Sequence, residues 1–453
     1  MGWLAWERFT CDTNCHENPD ECISSKLFTS MADRLVADGY RDVGYEYVNI
    51  DDCWSEKERN ENEELVADKE RFPGGIEKLA EYIHSRNLKL GIYGDCGTKT
   101  CAGYPAQLKP NGNLTDNNFN LDAQTFSKWE VDSFKFDGCN LDSLDAERIC
   151  PQMTTAIMAT RRPMIIVCEW PFYLLKESHQ PNFTLAQESC NAWRYYEDIE
   201  DSWQSVLSII DYSIQMQATI VKYHGPGHWF DPDQLVIGNF ALSLDQAKAQ
   251  MAIWSIWSAP LYMSNDLREI DQEMADVLKN KKLIDVNQDR LGVFGLMVAE
   301  SDSGNIQAFV KPVEPIRNGC PTFVVAYLNR NTLGNRRMVS FRLTDLFSKS
   351  ALIQAADRYS RLDDNYQPGG KFSGRDCRER ILAAGSKTTP VGEGTVIPTN
   401  HQFSSDLRGI ATEYIVEDLI ETERLPPVSL NSTLDLYVNP SGVRVVKLSE
   451  RIP

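Results

Sequence analysis

Tyr45-Glu-Tyr-Val-Asn-Ile-Asp-Asp52 decides the fold: a run of aromatic and β-branched residues that reads as a strand and ends on paired carboxylates. The same design recurs along the first two thirds of the chain. Leu88–Tyr93, Phe134–Phe136 and Met164–Val167 read as further strands, with Phe136 running into Asp137 and Val167 into Cys168-Glu169. Trp229-Phe230 runs likewise into Asp231-Pro232-Asp233. Between these runs lie amphipathic helices. Leu27, Phe28, Met31 and Leu35 recur at helical spacing until Gly39 supplies a stop, and Ile76, Leu79, Ala80 and Ile83 repeat the pattern. Strand alternating with helix means a parallel sheet. A closed (β/α)8 barrel puts the carboxyl ends of all its strands on one rim, so carboxylates far apart in sequence converge there. A doubly wound sheet would announce a nucleotide with a Gly-x-Gly-x-x-Gly turn, and none opens a helix here.

The pattern changes near residue 295. Asn305–Lys311, Thr322–Tyr327, Val339–Leu343, Thr433–Val438 and Val443–Leu448 read as short strands without alternating helices, as in an antiparallel β-sandwich. The expected organisation is a catalytic barrel over 1–295 and an antiparallel β-domain over 296–453. Residues 364–400, rich in Gly, Pro, Ser, Thr and charge, read as long loops.

The formal net charge of −19 argues against phosphate backbones and anionic membrane surfaces as partners and favours a neutral substrate. No apolar run reaches membrane-spanning length. Twelve cysteines, with Cys11, Cys15, Cys22 and Cys53 clustered, point to a disulfide framework, for which Cys11/Cys15 offers only a weak zinc-like alternative. Sequons at Asn113, Asn182 and Asn431 point to the same secretory route. The chain therefore reads as the mature form of a secreted or lysosomal protein.

Retaining cleavage of a glycosidic bond needs one ionised carboxyl group to attack the anomeric carbon and one protonated group to assist the leaving oxygen. Asp137, beside Lys135, suits the ionised role, although an Asp-Gly dipeptide also marks a simple turn. Asp198 lies in an acidic, aromatic run where partial shielding would preserve a proton. Glu197, Glu200 and Asp201 compete with it, and a solvated helix start explains the run equally well. Asp51-Asp52 could hold a divalent metal or sugar hydroxyls. Trp3, Trp6, Trp54, Tyr93, Trp170 and Trp229 lie near predicted strand ends and could stack on a pyranose, with core packing the rival reading for each. The six histidines are scattered, which gives a catalytic zinc site little support.

Met1-Gly-Trp-Leu-Ala-Trp-Glu-Arg8, Ile50-Asp-Asp-Cys-Trp54, Leu88-Lys-Leu-Gly-Ile-Tyr93, Lys135-Phe-Asp-Gly-Cys139, Cys168-Glu-Trp-Pro171 and Asn287-Gln-Asp289 together resemble the α-galactosidase and α-N-acetylgalactosaminidase group, glycoside hydrolase family 27 of clan D, and its animal lysosomal members in particular. The resemblance runs through residues 1 to about 295 and weakens afterwards. It implies a (β/α)8 barrel with a C-terminal β-domain, a homodimer, and double displacement at acidic pH on glycoconjugates with terminal α-galactose, without a metal or organic cofactor. It assigns Asp137 as nucleophile and Asp198 as acid/base, with Trp6, Asp51, Asp52, Tyr93, Lys135 and Arg194 contacting galactose.

In this group Glu with a larger apolar residue accompanies galactose, whereas Ser with Ala makes room for an N-acetyl group. Glu169 and Phe172 therefore imply an α-galactosidase, with an N-acetylgalactosaminidase or dual enzyme as the alternative and a catalytically silent galactose-binding protein as a remote one. Phe172 departs from the expected Leu, Gln234 from Met, and Gly225-Pro-Gly-His-Trp-Phe-Asp231 from Gly-Gly-Trp-Asn-Asp. The group's pattern also implies disulfides Cys11–Cys53, Cys15–Cys22, Cys101–Cys139 and Cys168–Cys190, and a glycan at Asn182. Cys96, Cys150, Cys320 and Cys377 have no counterpart in it, and a Cys320–Cys377 bridge is conceivable in the second domain.

Overall fold

The computed structural model describes residues 1–110, 113–317, 320–347, 413–421 and 423–451. Eight short strands are β1 (Gly2–Leu4), β2 (Tyr47–Asn49), β3 (Lys89–Asp95), β4 (Ser133–Asp137), β5 (Ile165–Cys168), β6 (Ala192–Arg194), β7 (Trp229–Asp231) and β8 (Tyr262–Met263). All neighbours are parallel, in the order β7-β6-β5-β4-β3-β2-β1-β8. A parallel bridge between Leu235, in the loop after β7, and Met263 of β8 joins the two ends into a ring. Helices separate consecutive strands throughout. This is the (β/α)8 arrangement.

The helices follow local signals. Ser24 caps Ser25–Ala37 by accepting the Leu27 N–H, and Leu27, Phe28, Met31, Ala32 and Leu35 form its buried stripe. Gly39 then takes φ 78°, the left-handed conformation that glycine adopts without steric cost. Strand alternation sorts β4 in the same way. Phe134 and Phe136 turn outward onto Phe126 and Phe119 of the helix Phe119–Lys128, ring centroids 5.0 Å and 6.0 Å apart, which leaves Lys135 and Asp137 facing the barrel axis.

The chain divides into two compact units, Met1–Trp254 with Ala259–Ile284, and Ser255–Ser258 with the residues from Asp285 onward. The sequence reading sets the change at residue 295. In the second unit β9 (Leu296–Ser301), β10 (Ile306–Arg317), β11 (Cys320–Asn329), β13 (Glu413–Asp418), β14 (Arg424–Ser429) and β16 (Val443–Glu450) form an antiparallel sheet in the order β14-β13-β16-β11-β10-β9. β12 (Arg337–Arg342) and β15 (Thr433–Val438) pair separately. The Tyr327 ring of β11 stacks on Phe341 of β12 at 6.0 Å, so the two antiparallel layers meet through aromatic faces. The stretch 364–400, and with it Cys377, lies outside the described residues.

Disulfides join Cys11–Cys53, Cys15–Cys22, Cys101–Cys139 and Cys168–Cys190, and a further one joins Cys96 to Cys150. Nothing in the spacing of the last pair, 54 residues apart, announces it; the fold brings the loop after β3 against the end of the helix Ser143–Ile149.

Gly91 sits where three strands crowd together. Asn49 of β2 donates its amide to the Trp3 carbonyl of β1 at 3.0 Å, and a Cβ at position 91 would come 1.9 Å from Asn49 Oδ1. Gly91→Ala is expected to cost about 1–3 kcal/mol of overpacking, measured as a lowered denaturation midpoint; unchanged stability would show that Asn49 moves aside freely.

Candidate active site

The parallel strands deliver their polar ends to one rim. Register pairs Tyr93 with Lys135 and Asp95 with Asp137 across β3 and β4. Asp51 and Asp52 follow β2, Glu169 follows β5, Arg194 ends β6, and Asp231 ends β7 with Asp233 just beyond. The carboxylates of Asp51, Asp52, Asp95, Asp137, Glu169, Asp231 and Asp233 are all buried there.

Asp137 is held from both sides by phenols. Tyr173 donates to Oδ1 at 2.7 Å and Tyr93 to Oδ2 at 2.8 Å, while the Gly138 N–H donates to Oδ1 at 2.8 Å. Three donors suit a carboxylate. Burial and the charge of Asp137 drive both phenols further above their ordinary range, so they remain donors. Next to Asp137, Asp95 accepts the N–H groups of Gly97 at 2.6 Å and Cys139 at 2.9 Å, and burial together with Asp137 pushes its carboxyl well upward. Gly97 is required at this junction: a Cβ would lie 1.9 Å from the Cys139 carbonyl oxygen. The Cys101–Cys139 disulfide ties the same two loops and places Cys101 Sγ 3.3 Å from Asp137 Oδ2. Asp95, Cys101, Asp137 and Cys139 group like metal ligands, but the two sulfurs are bonded to each other, which leaves a carboxylate pair.

Two cations balance this charge. Lys135 Nζ lies 2.9 Å from Asp51 Oδ2 and 3.2 Å from Glu169 Oε1. Burial opposes its charge, but Asp51, Glu169, Asp137 and Asp198 outweigh that and hold the ammonium protonated. Arg194 reaches Asp233 at 3.1 Å, Asp198 at 3.0 Å and Glu169 at 3.8 Å. Asp51 also accepts the Asp52 N–H at 2.8 Å, and Asp52 accepts those of Cys53 at 2.6 Å and Ala102 at 2.9 Å. The paired aspartates are thus engaged with protein donors. Glu169 Oε1 is buried and accepts no hydrogen bond in this position, and burial, then Asp137, pushes its carboxyl well upward.

Of the acidic run after β6, only Asp198 meets Arg194. Glu197 pairs with Lys176 at 3.0 Å, Asp201 accepts the N–H groups of Phe240 and Ala241 at 2.8 Å and 3.1 Å, and Glu200 is exposed. The expectation that shielding keeps Asp198 protonated is corrected by these neighbours. Burial does oppose its charge, but Arg194, Lys135 and Lys176 outweigh it and hold the carboxyl below its ordinary value. The side chain itself is 63% exposed, open to a ligand.

The aromatic rim is likewise corrected. Trp3, Trp54, Trp170 and Tyr93 are buried; Trp3 packs on Phe9 and Phe28, and Trp54 donates to the Tyr93 carbonyl at 3.0 Å. Trp229 starts β7 and meets His224 edge-on. Apolar side chains near a strand end mostly turn into the helix layer. Trp6, partly exposed in the short helix Trp6–Phe9 after β1, keeps an accessible position at the rim. Phe172 is buried beside Tyr173, with Lys176 Nζ 5.3 Å over its ring.

Sequence reasoning missed Tyr173 and Asp95 as members of this cluster, and placed Asp233 at a strand end on the rim without giving it a role. Asp233 was visible as the second carboxylate of Asp231-Pro-Asp233, whereas Tyr173 carries no signal beyond lying next to Phe172. The rim thus carries a phenol-clamped carboxylate, Asp137, and an arginine-bound one, Asp198, two groups of the kind that glycosidic cleavage requires.

The chain matches the family model described as alpha galactosidase A over residues 1–289. It is 49% identical to alpha-N-acetylgalactosaminidase of Gallus gallus over 313 residues, which cover 69% of this chain and 75% of that one. It is 45% identical to alpha-galactosidase A of Homo sapiens over 349 residues, 76% and 77% of the two chains. The solved alpha-galactosidase I of Mortierella vinacea shares the fold, with a TM-score of 0.73 at 23% identity over 99% of this chain and 96% of that one. The chain belongs to the alpha-galactosidase A family, family 27 of the glycoside hydrolases.

Proposed function

We propose that this chain is a retaining exo-glycosidase that removes terminal α-linked D-galactose from glycolipids, oligosaccharides or glycoproteins. The observation that carries the reading is Asp137, held between Tyr93 and Tyr173 on the same rim as the Arg194-bound Asp198. In the first step an Asp137 oxygen attacks the anomeric carbon, the bond to the aglycone oxygen breaks, and that oxygen takes the proton of Asp198. In the second, Asp198 takes a proton from water, the water oxygen attacks the anomeric carbon, and Asp137 leaves. Configuration is retained through two inversions. Asp51, Asp52, Lys135 and Arg194 bind sugar hydroxyls, Trp6 offers a face to the ring, and Tyr93 positions the nucleophile.

The relatives are named for both galactose and N-acetylgalactosamine, so the residues facing the 2-position decide. In this reading Glu169, paired with Lys135 at 3.2 Å, accepts the 2-hydroxyl, and Phe172, a buried bulky side chain, leaves no room for an acetamide. Asn113, Asn182 and Asn431 are exposed, as glycan sites must be. The five disulfides of the described residues fit a lysosomal or secreted protein, and the homodimer rests on the family resemblance alone.

Three outcomes test this. With aryl α-galactoside at about pH 4.5, NMR is expected to show α-galactose as first product, and Asp137→Asn to lower kcat by about three orders of magnitude or more; inversion, or a nearly active variant, removes Asp137 from the role. Glu169→Ser with Phe172→Ala is expected to shift the ratio of kcat/KM toward the N-acetylgalactosaminide by about 10-fold or more. A wild type that prefers the N-acetyl sugar refutes the reading of these two residues.

The third is pH dependence. Because Asp198 is held low, the free enzyme with its acid protonated becomes scarce as pH rises through the acidic range, and kcat/KM falls with it. Lys176→Met removes one of the charges responsible and is expected to move that falling limb to higher pH; a limb that stays put, or a rate maximum above neutrality, contradicts the assignment.

A further inference from the structure

The two displacement steps give no role to Asp233, yet this carboxylate reaches the acid/base segment twice. Its Oδ2 accepts the backbone N–H of Ile199, the residue that follows Asp198, at 2.8 Å. The same Oδ2 lies 3.1 Å from Arg194 Nη2, the nitrogen that donates to Asp198 Oδ1 at 3.0 Å. One carboxylate oxygen thus holds both the peptide beside the acid/base and the cation that grips it. Arg194 Nη2 also donates to the Tyr196 carbonyl at 3.0 Å, and beyond Ile199 the Asp201 N–H donates to Glu7 Oε1 at 2.8 Å. The exposed side chain of Asp198 therefore projects from a segment tied down before and after it.

Asp233 is itself held on every side. It is buried, and its backbone takes the left-handed conformation at φ 75°, which aspartate tolerates better than most residues. Its N–H donates to Asp231 Oδ1 at 2.9 Å, and its carbonyl accepts Trp254 Nε1 at 2.8 Å. Gln234 completes the hold. Its Nε2 donates to Asp233 Oδ1 at 3.2 Å, and its own carbonyl accepts Gln250 Nε2 of the helix Leu244–Ile256 at 3.0 Å. The Met expected at position 234 has no N–H to give. Asp198 faces Arg194 of β6, Lys135 of β4, Lys176 of the helix Trp170–Lys176 and Glu169 after β5. Arg194 faces Asp233, Glu169, Asp198 and Asp231; burial opposes its charge, and Asp233 is foremost among the carboxylates that outweigh burial.

Building on the assignment of Asp198 as acid/base, we infer that Asp233 is its positioning residue: held by Gln234, it sets the peptide after Asp198 and shares the Arg194 guanidinium with it. A guanidinium spread over two carboxylates stabilises the charge of each less than it would stabilise one alone. Without the Asp233 charge, Arg194 acts on Asp198 undivided, and the acid/base gives up its proton at lower pH. Without the Gln234 donor, more of the Asp233 charge falls on Arg194, which leans away from Asp198, and the proton is kept to higher pH. Position matters separately from charge. A displaced acid slows the reaction only where the leaving oxygen needs its proton.

Asp233→Asn removes the charge but keeps an acceptor for Ile199 and tolerates the left-handed backbone; Gln234→Met removes the Nε2 donor at nearly constant volume. With the full chain, kcat/KM is measured over about pH 3 to 8 on methyl and on dinitrophenyl α-galactoside, the second of which departs without a proton. This ratio ends at the glycosyl-enzyme and so reads the acid step alone. Asp233→Asn is expected to lose about 10- to 100-fold on the methyl glycoside and less than about 3-fold on the dinitrophenyl one. On the methyl glycoside its falling limb moves to lower pH by about half a unit or more, and that of Gln234→Met moves to higher pH. Equal losses on the two glycosides, or a limb in Asp233→Asn that stays put or moves upward, overturns the inference. If Asp233→Asn does not fold, Gln234→Met decides, and a limb that stays put or moves downward is the overturning result. Asp198→Asn is the reference. If it loses no more on the methyl than on the dinitrophenyl glycoside, the acid/base reading fails and the inference with it; if it does and Asp233→Asn does not, the inference alone falls.

Discussion

The site depends on burying seven carboxylates, Asp51, Asp52, Asp95, Asp137, Glu169, Asp231 and Asp233, around the two cations Lys135 and Arg194. Like charges removed from water repel strongly and lose hydration, so such a cluster persists only where cations and hydrogen-bond donors meet each oxygen. The barrel supplies both. Lys135 faces the axis because Phe134 and Phe136 on either side of it are drawn into the helix layer, and Arg194 ends the strand that leads into the acid/base loop. Backbone N–H groups of the loops complete the balance at Asp52, Asp95 and Asp137.

This balance divides labour between carboxyl groups of one chemical type. Asp137 receives three neutral donors and no direct ion pair in its immediate shell, which leaves its oxygens anchored in orientation. Asp198 stands half outside, attached to Arg194, where an arriving glycoside changes its surroundings most. Burial and the charge of Asp137 act in the same direction on Glu169 and Asp95 and push both carboxyls upward. The disulfides work on the same problem. Cys101–Cys139 ties the loops that follow β3 and β4, and Cys96–Cys150 ties the first of them to the end of the helix Ser143–Ile149, which limits the freedom of the polar ends that repulsion would otherwise spread apart.

Much of the barrel was legible because its strands are short runs of β-branched and aromatic residues ending on charge. The expected Phe134–Phe136 and Met164–Val167 appear as Ser133–Asp137 and Ile165–Cys168, within a residue or so at each end. Asp51, Asp52, Lys135, Asp137, Glu169 and Arg194 do converge, since parallel topology puts strand ends together. For Trp3, Trp54 and Trp170 core packing prevails over stacking on a sugar, a choice the sequence leaves open because proximity to a strand end says nothing about whether a side chain points along the axis or into the helix layer. Asp198 was misjudged in its electrostatics, because the local run shows acids and aromatics while Lys135 and Lys176 arrive from other elements.

The amino-acid sequence by itself determined the alternation of strands and helices, the placement of carboxylates at strand ends and the family to which they correspond, all of which depend on neighbours within a few residues or on motif identity. Only the tertiary structure decided that Tyr173 shares Asp137 with Tyr93, that Cys96 meets Cys150, and that Glu7 joins Asp201. Each of these joins residues distant along the chain whose separation in space is set by ring closure. Hydrogen bonds and disulfides need their atoms within a few ångströms, so partners of this kind exist only once the barrel has closed.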